Sequence, residues 1–479
     1  MTLQKAIGLS ISTILGLIAW LLPADVYGID NLTIVEQRVI AIFIFAALMW
    51  IFEAVPIWTT SVLIMVLMLL TTSSSCLWFF SEKGGYTAEH LGTLIKYKDI
   101  MAAFADPIIM LFLGGFVLAI AAKKCGLDAN LARVLLKPFG TRSPFVLLGF
   151  LSITAIFSMF MSNTATAAMM LTILAPILKV TDQCHGKGKI GLAMAIPIAA
   201  NVGGIGTIVG TPPNAIAIKY LNDELGLNIG FGEWMLLMVP FVIVLLAFSW
   251  LLLLKFFPFE EKHIEIKIAG KFRNDWKAVL TYITFGITVL LWVTDQVTGV
   301  NANIVALIPF AIFAITGVID RNDLREIPWD VLWLVAGGFA LGVGLNQTGL
   351  AKHMVESIPF SSWSPFLTII GAGLLCVLMS TFISNTATAS LLVPILAAVG
   401  TAMGPSLAPF GGITTLLIGI AISASLAMAL PISTPPNALA HSTGLVRQGD
   451  MAKVGIIIGI VGMILGYLLL FFCADFLFH

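Results

Sequence analysis

Hydroxyl and amide side chains recur in this chain in a doubled pattern suited to handling small ions. Ser162-Asn163-Thr164-Ala165-Thr166-Ala167 returns as Ser384-Asn385-Thr386-Ala387-Thr388-Ala389. Thr211-Pro212-Pro213-Asn214-Ala215 returns as Thr434-Pro435-Pro436-Asn437-Ala438. The offsets are 222 and 223 residues, so each half carries both motifs at nearly the same internal spacing. Hydroxyl, amide and backbone oxygens can wrap a hard cation such as sodium without a carboxylate. Helix N-termini, with free N–H groups and a positive dipole end, suit an anion. Residues 143–178, 190–218 and 364–440 contain no Asp, Glu, Lys or Arg. Charge on a substrate there must be met by dipoles, hydroxyls, amides and bound cations. A dianion in such a site is costly without cations beside it, so cation coupling is physically natural.

Length decides which elements hold these groups. As one helix, residues 143–178 would extend about 54 Å, against a hydrocarbon core of about 30 Å. The arms on either side of Ser162-Asn163-Thr164, about 16 residues each, fall short of the roughly 20 needed for a crossing. The economical solution is a re-entrant helical hairpin over 143–178 with the motif at its tip. Residues 364–398 repeat that geometry from the opposite face. The paired prolines each remove a backbone donor and clash with the preceding turn, and the residue before them is pushed out of helical geometry. Gly210-Thr211-Pro212-Pro213 and Ser433-Thr434-Pro435-Pro436 should each unwind a helix, exposing free carbonyls on one side and a new half-helix N-terminus on the other.

Composition places these breaks in a bilayer. Hydrophobic residues make up 59% of the chain and charged residues 10%, with a mean hydropathy of +1.03; a soluble domain carries about 25% charged residues. The reading is an all-α polytopic membrane protein with about 11 transmembrane helices plus the two hairpins. Ile7–Leu22 lacks a basic cluster and a small-residue cleavage site, and reads as a retained first helix rather than a signal peptide. With alternating spans and Lys5 in the cytoplasm, all but Arg38, Lys83, Lys96, Lys98, Lys219 and Lys352 of the 25 basic residues fall on the cytoplasmic side. That asymmetry predicts a cytoplasmic N-terminus in a multi-pass plasma membrane protein. Zero net charge implies no nucleic-acid partner. Five scattered cysteines and six histidines without ligand spacing argue against disulfides, a metal cluster or any resident cofactor.

The duplication extends beyond the motifs. Gly114-Gly115-Phe116 matches Gly337-Gly338-Phe339, Gly126-Leu127 matches Gly349-Leu350, and Ser143-Pro144-Phe145 matches Ser364-Pro365-Phe366. The expected domains are an N-terminal helix (1–37), a first repeat (38–258, broken helix at 210–214), a charged cytoplasmic linker (259–277) and a second repeat (278–479, broken helix at 433–437). A duplicated unit with an odd number of crossings enters the membrane upside down the second time, giving an inverted repeat.

At these residues the chain resembles the divalent anion:sodium symporter family, whose members carry di- and tricarboxylates or sulfate. The resemblance covers nearly the whole chain. It implies a homodimer with a static scaffold domain and a transport domain that moves like an elevator. Carried over by motif, Ser158, Ser162, Asn163 and Gly210 match a first sodium site, and Ser380, Ser384, Asn385 and Ser433 a second. Asn163, Thr164, Asn385 and Thr386 would bind substrate from the hairpin tips, helped by Thr211, Thr434 and Pro435. Thr211 stands where the family varies. The chain is too short for the soluble inserts of many sulfate-type relatives, which favours a dicarboxylate such as succinate, malate or fumarate, imported with sodium.

Other readings stay beside this one. Carboxylate exchange or transport of sulfate or a tricarboxylate would use the same fold, and an anion channel is a reading from a different class. No nucleophile–base pair or metal set suggests an enzyme. A single Ser-Asn-Thr would be interhelical hydrogen-bond glue; its doubling points to a site. The paired glycines read as close-packing positions, and Glu53 and Asp295 as interfacial caps. His441 is the one titrating side chain near the second break.

Overall fold

Backbone polar groups in hydrocarbon must be satisfied within the protein, which leaves helices as the economical solution for apolar spans. A computed structural model describes residues 3–179, 187–264, 273–357 and 363–477. Asp182, Cys184 and the middle of the charged linker (265–272) lie outside them. Among the described residues the chain is helical, with two isolated bridges, Ser73–Ile95 and Arg142–His263. The helices used below are α1 (Leu3–Leu21), α2 (Ile34–Phe52), α3 (Ile57–Thr71), α4 (Pro107–Lys124), α5 (Ser143–Phe160), α6 (Asn163–Lys179), α7 (Gly188–Gly204) and α8 (Pro212–Lys219). They continue as α9 (Phe231–Phe256), α10 (Trp276–Val293), α11 (Trp329–Gln347), α12 (Pro365–Phe382), α13 (Asn385–Met403), α14 (Gly412–Leu426), α15 (Pro435–Ser442) and α16 (Gln448–Leu477).

The order α4 to α9 recurs as α11 to α16, with helix starts displaced by 222 to 224 residues through α8 and α15. Ten helices among the described residues are long and apolar enough to cross a membrane, and four shorter apolar helices accompany them. Three of the ten, Ser143–Phe160, Pro365–Phe382 and Asn385–Phe410, are arms of the expected hairpins. These arms are slightly longer than the sequence spacing suggested, because helix continues to within two residues of each motif asparagine.

Two compact units each draw segments from both halves of the chain. One comprises Met1–Ile109, Pro328–Ala372 and Thr386–Ile420. There α11 packs on α3 and α2, around the fully buried Trp50, Ile64, Met68 and Phe339. A Cβ on Gly337 would fall 2.4 Å from that of Ser61, and one on Gly338 2.6 Å from that of Ser390. These glycines are close-packing positions, as the sequence suggested. Thr33 and Glu36 form a capping box at the start of α2, and the buried Arg38 donates to the carbonyls of Thr71 and Phe80.

The other unit comprises Met110–Ile327, Gly373–Asn385 and Ala421–His479. Its centre is α7, packed against α5, α6, α9 and α15. Gly203 permits the approach to α5, since a Cβ there would fall 2.5 Å from Ala155 Cα. Asp295 accepts from the backbone N–H groups of Phe231 (2.6 Å) and Gly232 (3.3 Å) at the start of α9. It is the cap expected from the sequence, an acid at the positive helix end. Glu53 occupies the C-cap of α2 in left-handed geometry.

Candidate ion and substrate site

The first polar motif lies at a helix break in both halves. α5 ends at Phe160 and α6 begins at Asn163; α12 ends at Phe382 and α13 begins at Asn385. Ser162 Oγ accepts from Ala165 N at 3.2 Å, so the motif serine caps the helix that follows it. Ser158, fully buried one turn earlier, donates to Ala200 O at 2.7 Å. With its amide nitrogen turned inward, Asn163 donates to Ser158 Oγ (2.6 Å), Ala200 O (3.1 Å) and Gly210 O (3.2 Å). The opposite orientation would set the amide oxygen against two carbonyls. In the second half Ser380, also buried, bonds Asn385 Oδ1 at 2.7 Å and Ala424 O at 3.2 Å. Two corners built from the same residue types therefore form, each joining the start of the motif helix to a backbone carbonyl of the helix that follows, with the Asn163 nitrogen but the Asn385 oxygen facing the buried serine.

The second motif breaks the helix differently from the sequence expectation. The unwound stretches are residues 205–211 and 427–434, longer than the expected 210–214 and 433–437 and lying wholly before the prolines. Pro212 and Pro435 open α8 and α15 rather than interrupt a helix, since the first helical position needs no backbone donor. Close approach does the rest in the first half. A Cβ on Gly210 would sit 2.4 Å from Gly204 O, and one on Gly204 would sit 2.6 Å from the Asn163 amide.

The carbonyls released by unwinding are not all free, contrary to the sequence reading. Asn214 Nδ2 donates to Thr207 O (2.8 Å) and Gly204 O (3.0 Å) and reaches Ile205 O (3.4 Å). Trp234 Nε1 also donates to Ile205 O at 2.9 Å. Asn437 Nδ2 repeats the arrangement with Met428 O (2.8 Å) and Leu430 O (3.0 Å). Buried unpaired carbonyls cost about 1–3 kcal/mol each, so these asparagines hold the breaks open at tolerable energy. A carbonyl has two lone pairs, and one hydrogen bond leaves the second able to face a cation.

Each break is tied to the end of α5 or α12 by one hydroxyl, supplied from opposite ends of the same turn. Thr207 Oγ1 donates to Met159 O and accepts from Gly210 N at 3.0 Å. Ser433 Oγ donates to Thr381 O at 2.8 Å and accepts from Leu430 N at 3.1 Å. Leu430 and Ser433 follow Thr207 and Gly210 at the common offset of 223. The hydroxyl moves three residues along the turn while its job stays the same.

Among the expected substrate residues, Thr164 is exposed and Asn163 and Asn385 are half-buried. Thr211 is buried at the N-cap of α8, and Pro435 is exposed at the start of α15. Thr434 Oγ1 accepts from Asn437 N (3.3 Å) and from Asn201 Nδ2 (3.1 Å). Thr386, the next residue after Asn385, falls in the unit that contains α2, α3 and α11. His441 Nδ1 pairs with Val446 O at 2.8 Å, across the turn leading to α16.

Sequence reasoning missed Asn201, whose amide also reaches Asn437 Oδ1 at 3.3 Å and so links α7 to the second break. In the register set by the acceptor carbonyls of Ala200 and Ala424, its counterpart is the buried Ser425, so repetition of residue type gave no signal for it. Asn214 and Asn437 were visible as repeated residues, but their role in satisfying the breaks emerges only in the folded chain.

Residues 3–477 match the sequence family described as "Sodium:sulfate symporter transmembrane region". A protein named sodium-dependent dicarboxylate transporter SdcS from Staphylococcus saprophyticus is 30% identical, over 97% of this chain and 91% of its own. The protein of the same name from Staphylococcus aureus strain USA300 is 32% identical over the same shares. Solved structures of the same fold include MtrF from Neisseria gonorrhoeae, at 13% identity with a TM-score of 0.55, covering 87% of this chain and 94% of its own. The YdaH transporter of Alcanivorax borkumensis gives 10% identity and a TM-score of 0.53, covering 88% and 98%. With a matching family sequence from end to end and ten helices able to span a bilayer, this chain is a multi-pass membrane protein of the sodium:sulfate symporter family, within the divalent anion:sodium symporters.

Proposed function

We propose that this protein is a secondary transporter that imports a C4 dicarboxylate, such as succinate, malate or fumarate, together with sodium ions. One observation carries the reading: two corners of the same residue types, rich in neutral oxygens, built within segments that hold no charged side chain. Ser158, Ser162, Asn163 and the Gly210 carbonyl would hold one sodium, with the Asn163 amide rotated so that its oxygen rather than its nitrogen faces the ion. Ser380, Ser384, Asn385 and Ser433 would hold the other. The substrate carboxylates would meet Asn163 and Thr164 on one side and Asn385 and Thr386 on the other, with Thr211, Thr434 and Pro435 completing the contact. No resident cofactor is required, and the protein acts as a carrier rather than an enzyme.

Coupling follows from electrostatics. A sodium ion and a carboxylate ~5 Å apart at an effective dielectric of about 20 attract by about 3 kcal/mol. Two such cations beside a dianion convert a site that would reject the substrate into one that accepts it. Sodium would also order the hairpin tips from which the substrate amides project, so substrate would bind only after cation. The hairpins would be re-entrant and the repeats inverted, with the N-terminus in the cytoplasm. A homodimer with a static scaffold and an elevator-like transport domain would carry the loaded site across the membrane.

The family description names sulfate, whereas the two relatives above are named for dicarboxylates. The test is a competition panel of succinate, malate, fumarate, citrate and sulfate against labelled succinate, run in sodium and in choline. Competition confined to C4 dicarboxylates, and only in sodium, supports the assignment. Sulfate or citrate competing as well as succinate would move the substrate class, uptake requiring internal carboxylate regardless of sodium would indicate exchange, and non-saturable flux would indicate a channel.

A further inference from the structure

Three helix ends outside the motif site meet at a separate basic cavity. It has a volume of about 640 Å3 and is lined by Lys187, Lys189, Arg447 and Lys453, with Asp450 as its one acid. Four cations against one acid give the wall a formal charge of +3. Among the described residues, no carboxylate lies within ion-pair distance of any of these cations. The helices add to the field: α7 starts at Gly188 and α16 at Gln448, so two positive dipole ends face this region. No side chain caps the start of α7. Like charges gathered without acids repel one another, and a concave wall of this kind is stabilised by an anion.

The fittings specify the anion further. Arg447 offers a planar fork matched to phosphate oxygens, and lysines serve as point charges around it. Lys453 Nζ sits over the Phe256 ring at 4.4 Å, which fixes one ammonium at the end of α9. Phe257 and Val454, both buried, form an apolar wall beside the cations. A solvated skirt of interfacial lysines needs neither a cavity nor an aromatic rest for its ammonium.

We propose that this cavity binds a phosphate-bearing anion. The same chemistry is presented by the headgroup of an anionic phospholipid and by a soluble phosphorylated metabolite. The cavity joins the start of α7, which runs into the first break, to the turn between α15 and α16, which leaves the second. Its occupancy therefore braces the outer ends of both broken helices, whatever solute the motif site carries.

The full-length purified protein, delipidated in detergent, tests this by native mass spectrometry and thermal shift. The probes are phosphatidylglycerol with phosphatidylcholine as control, and ATP with inorganic phosphate. The variants are Arg447→Gln/Lys453→Gln, the single Lys189→Gln in case the pair fails to fold, and Lys255→Gln/Lys262→Gln as a charge-matched control. The expected result is about tenfold weaker retention of one probe class by Arg447→Gln/Lys453→Gln, a smaller loss in Lys189→Gln, and none in the control. Selective loss of phosphatidylglycerol assigns a lipid, and selective loss of ATP or phosphate assigns a soluble ligand. Equal retention by wild type and cavity variants, or equal loss in the control pair, overturns the proposal.

Discussion

The displaced hydroxyl makes an unusual prediction: two substitutions should do less harm than one. Ser433→Gly copies the residue at Gly210 but leaves the second break without the hydroxyl that Thr207 supplies in the first. Thr381 O loses its donor and Leu430 N its acceptor. At about 1–3 kcal/mol for each buried unpaired group, and with about 0.5–1 kcal/mol for the added glycine freedom, the loss should be about 2–4 kcal/mol, because these groups are part-buried rather than fully dry. Leu430→Thr alone should cost about 1 kcal/mol of apolar burial, since Leu430 is half-buried. Combined with Ser433→Gly, it restores a hydroxyl at the Thr207-equivalent position. The cycle should show a rescuing coupling of about 1–3 kcal/mol. Thermal denaturation in sodium-free choline buffer reads the protein framework without cation binding, and Ser433→Gly should lower the midpoint by several degrees. The double variant should recover part of that loss. A double variant destabilised by the sum of the singles would refute the exchange of roles.

Removing the asparagine brackets tests the breaks themselves. Asn214→Ala and Asn437→Ala should each lower stability by about 2–4 kcal/mol, from two well-bonded carbonyls left unpaired; midpoints within a degree of wild type would argue against this role. Gly210→Ala should disrupt sodium-dependent uptake more than expression, because its Cβ would meet Gly204 O at 2.4 Å and force the two strands of the break apart. Normal sodium dependence in that variant would remove Gly210 from the site. Asn163→Ala and Asn385→Ala should each reduce uptake at least about 50-fold while gel filtration shows a folded protein, as expected for loss of a shared ion and substrate ligand. Near-normal uptake by both would overturn the site assignment.

Much of this arrangement was legible because the chain states it twice. The repeated Ser-Asn-Thr and Thr-Pro-Pro-Asn segments located the helix breaks, and residues 364–440 around the second pair hold no charged side chain. The paired glycines and Asp295 also behaved as their residue types suggest, because packing distance and helix-end charge are local properties. The extent of the breaks was less legible. Proline restricts the residue before it, but the unwinding began at Ile205 and Ala427, set by side-chain bonds from Asn214 and Asn437 reaching back across the gap. The exchange between Thr207 and Ser433 was hidden for a related reason. Each hydroxyl looks unmatched in the alignment of halves, and only the shared target carbonyls, Met159 O and Thr381 O, reveal the equivalence. Asn201 was hidden because its counterpart in the register of the Ala200 and Ala424 carbonyls is the shorter Ser425.

Sodium coupling at a charge-free site is the central claim, and uptake of labelled succinate into proteoliposomes tests it most directly. An inward sodium gradient should drive accumulation above equilibrium, and replacing sodium with choline on both sides should abolish it. Accumulation that proceeds equally in choline would contradict the account.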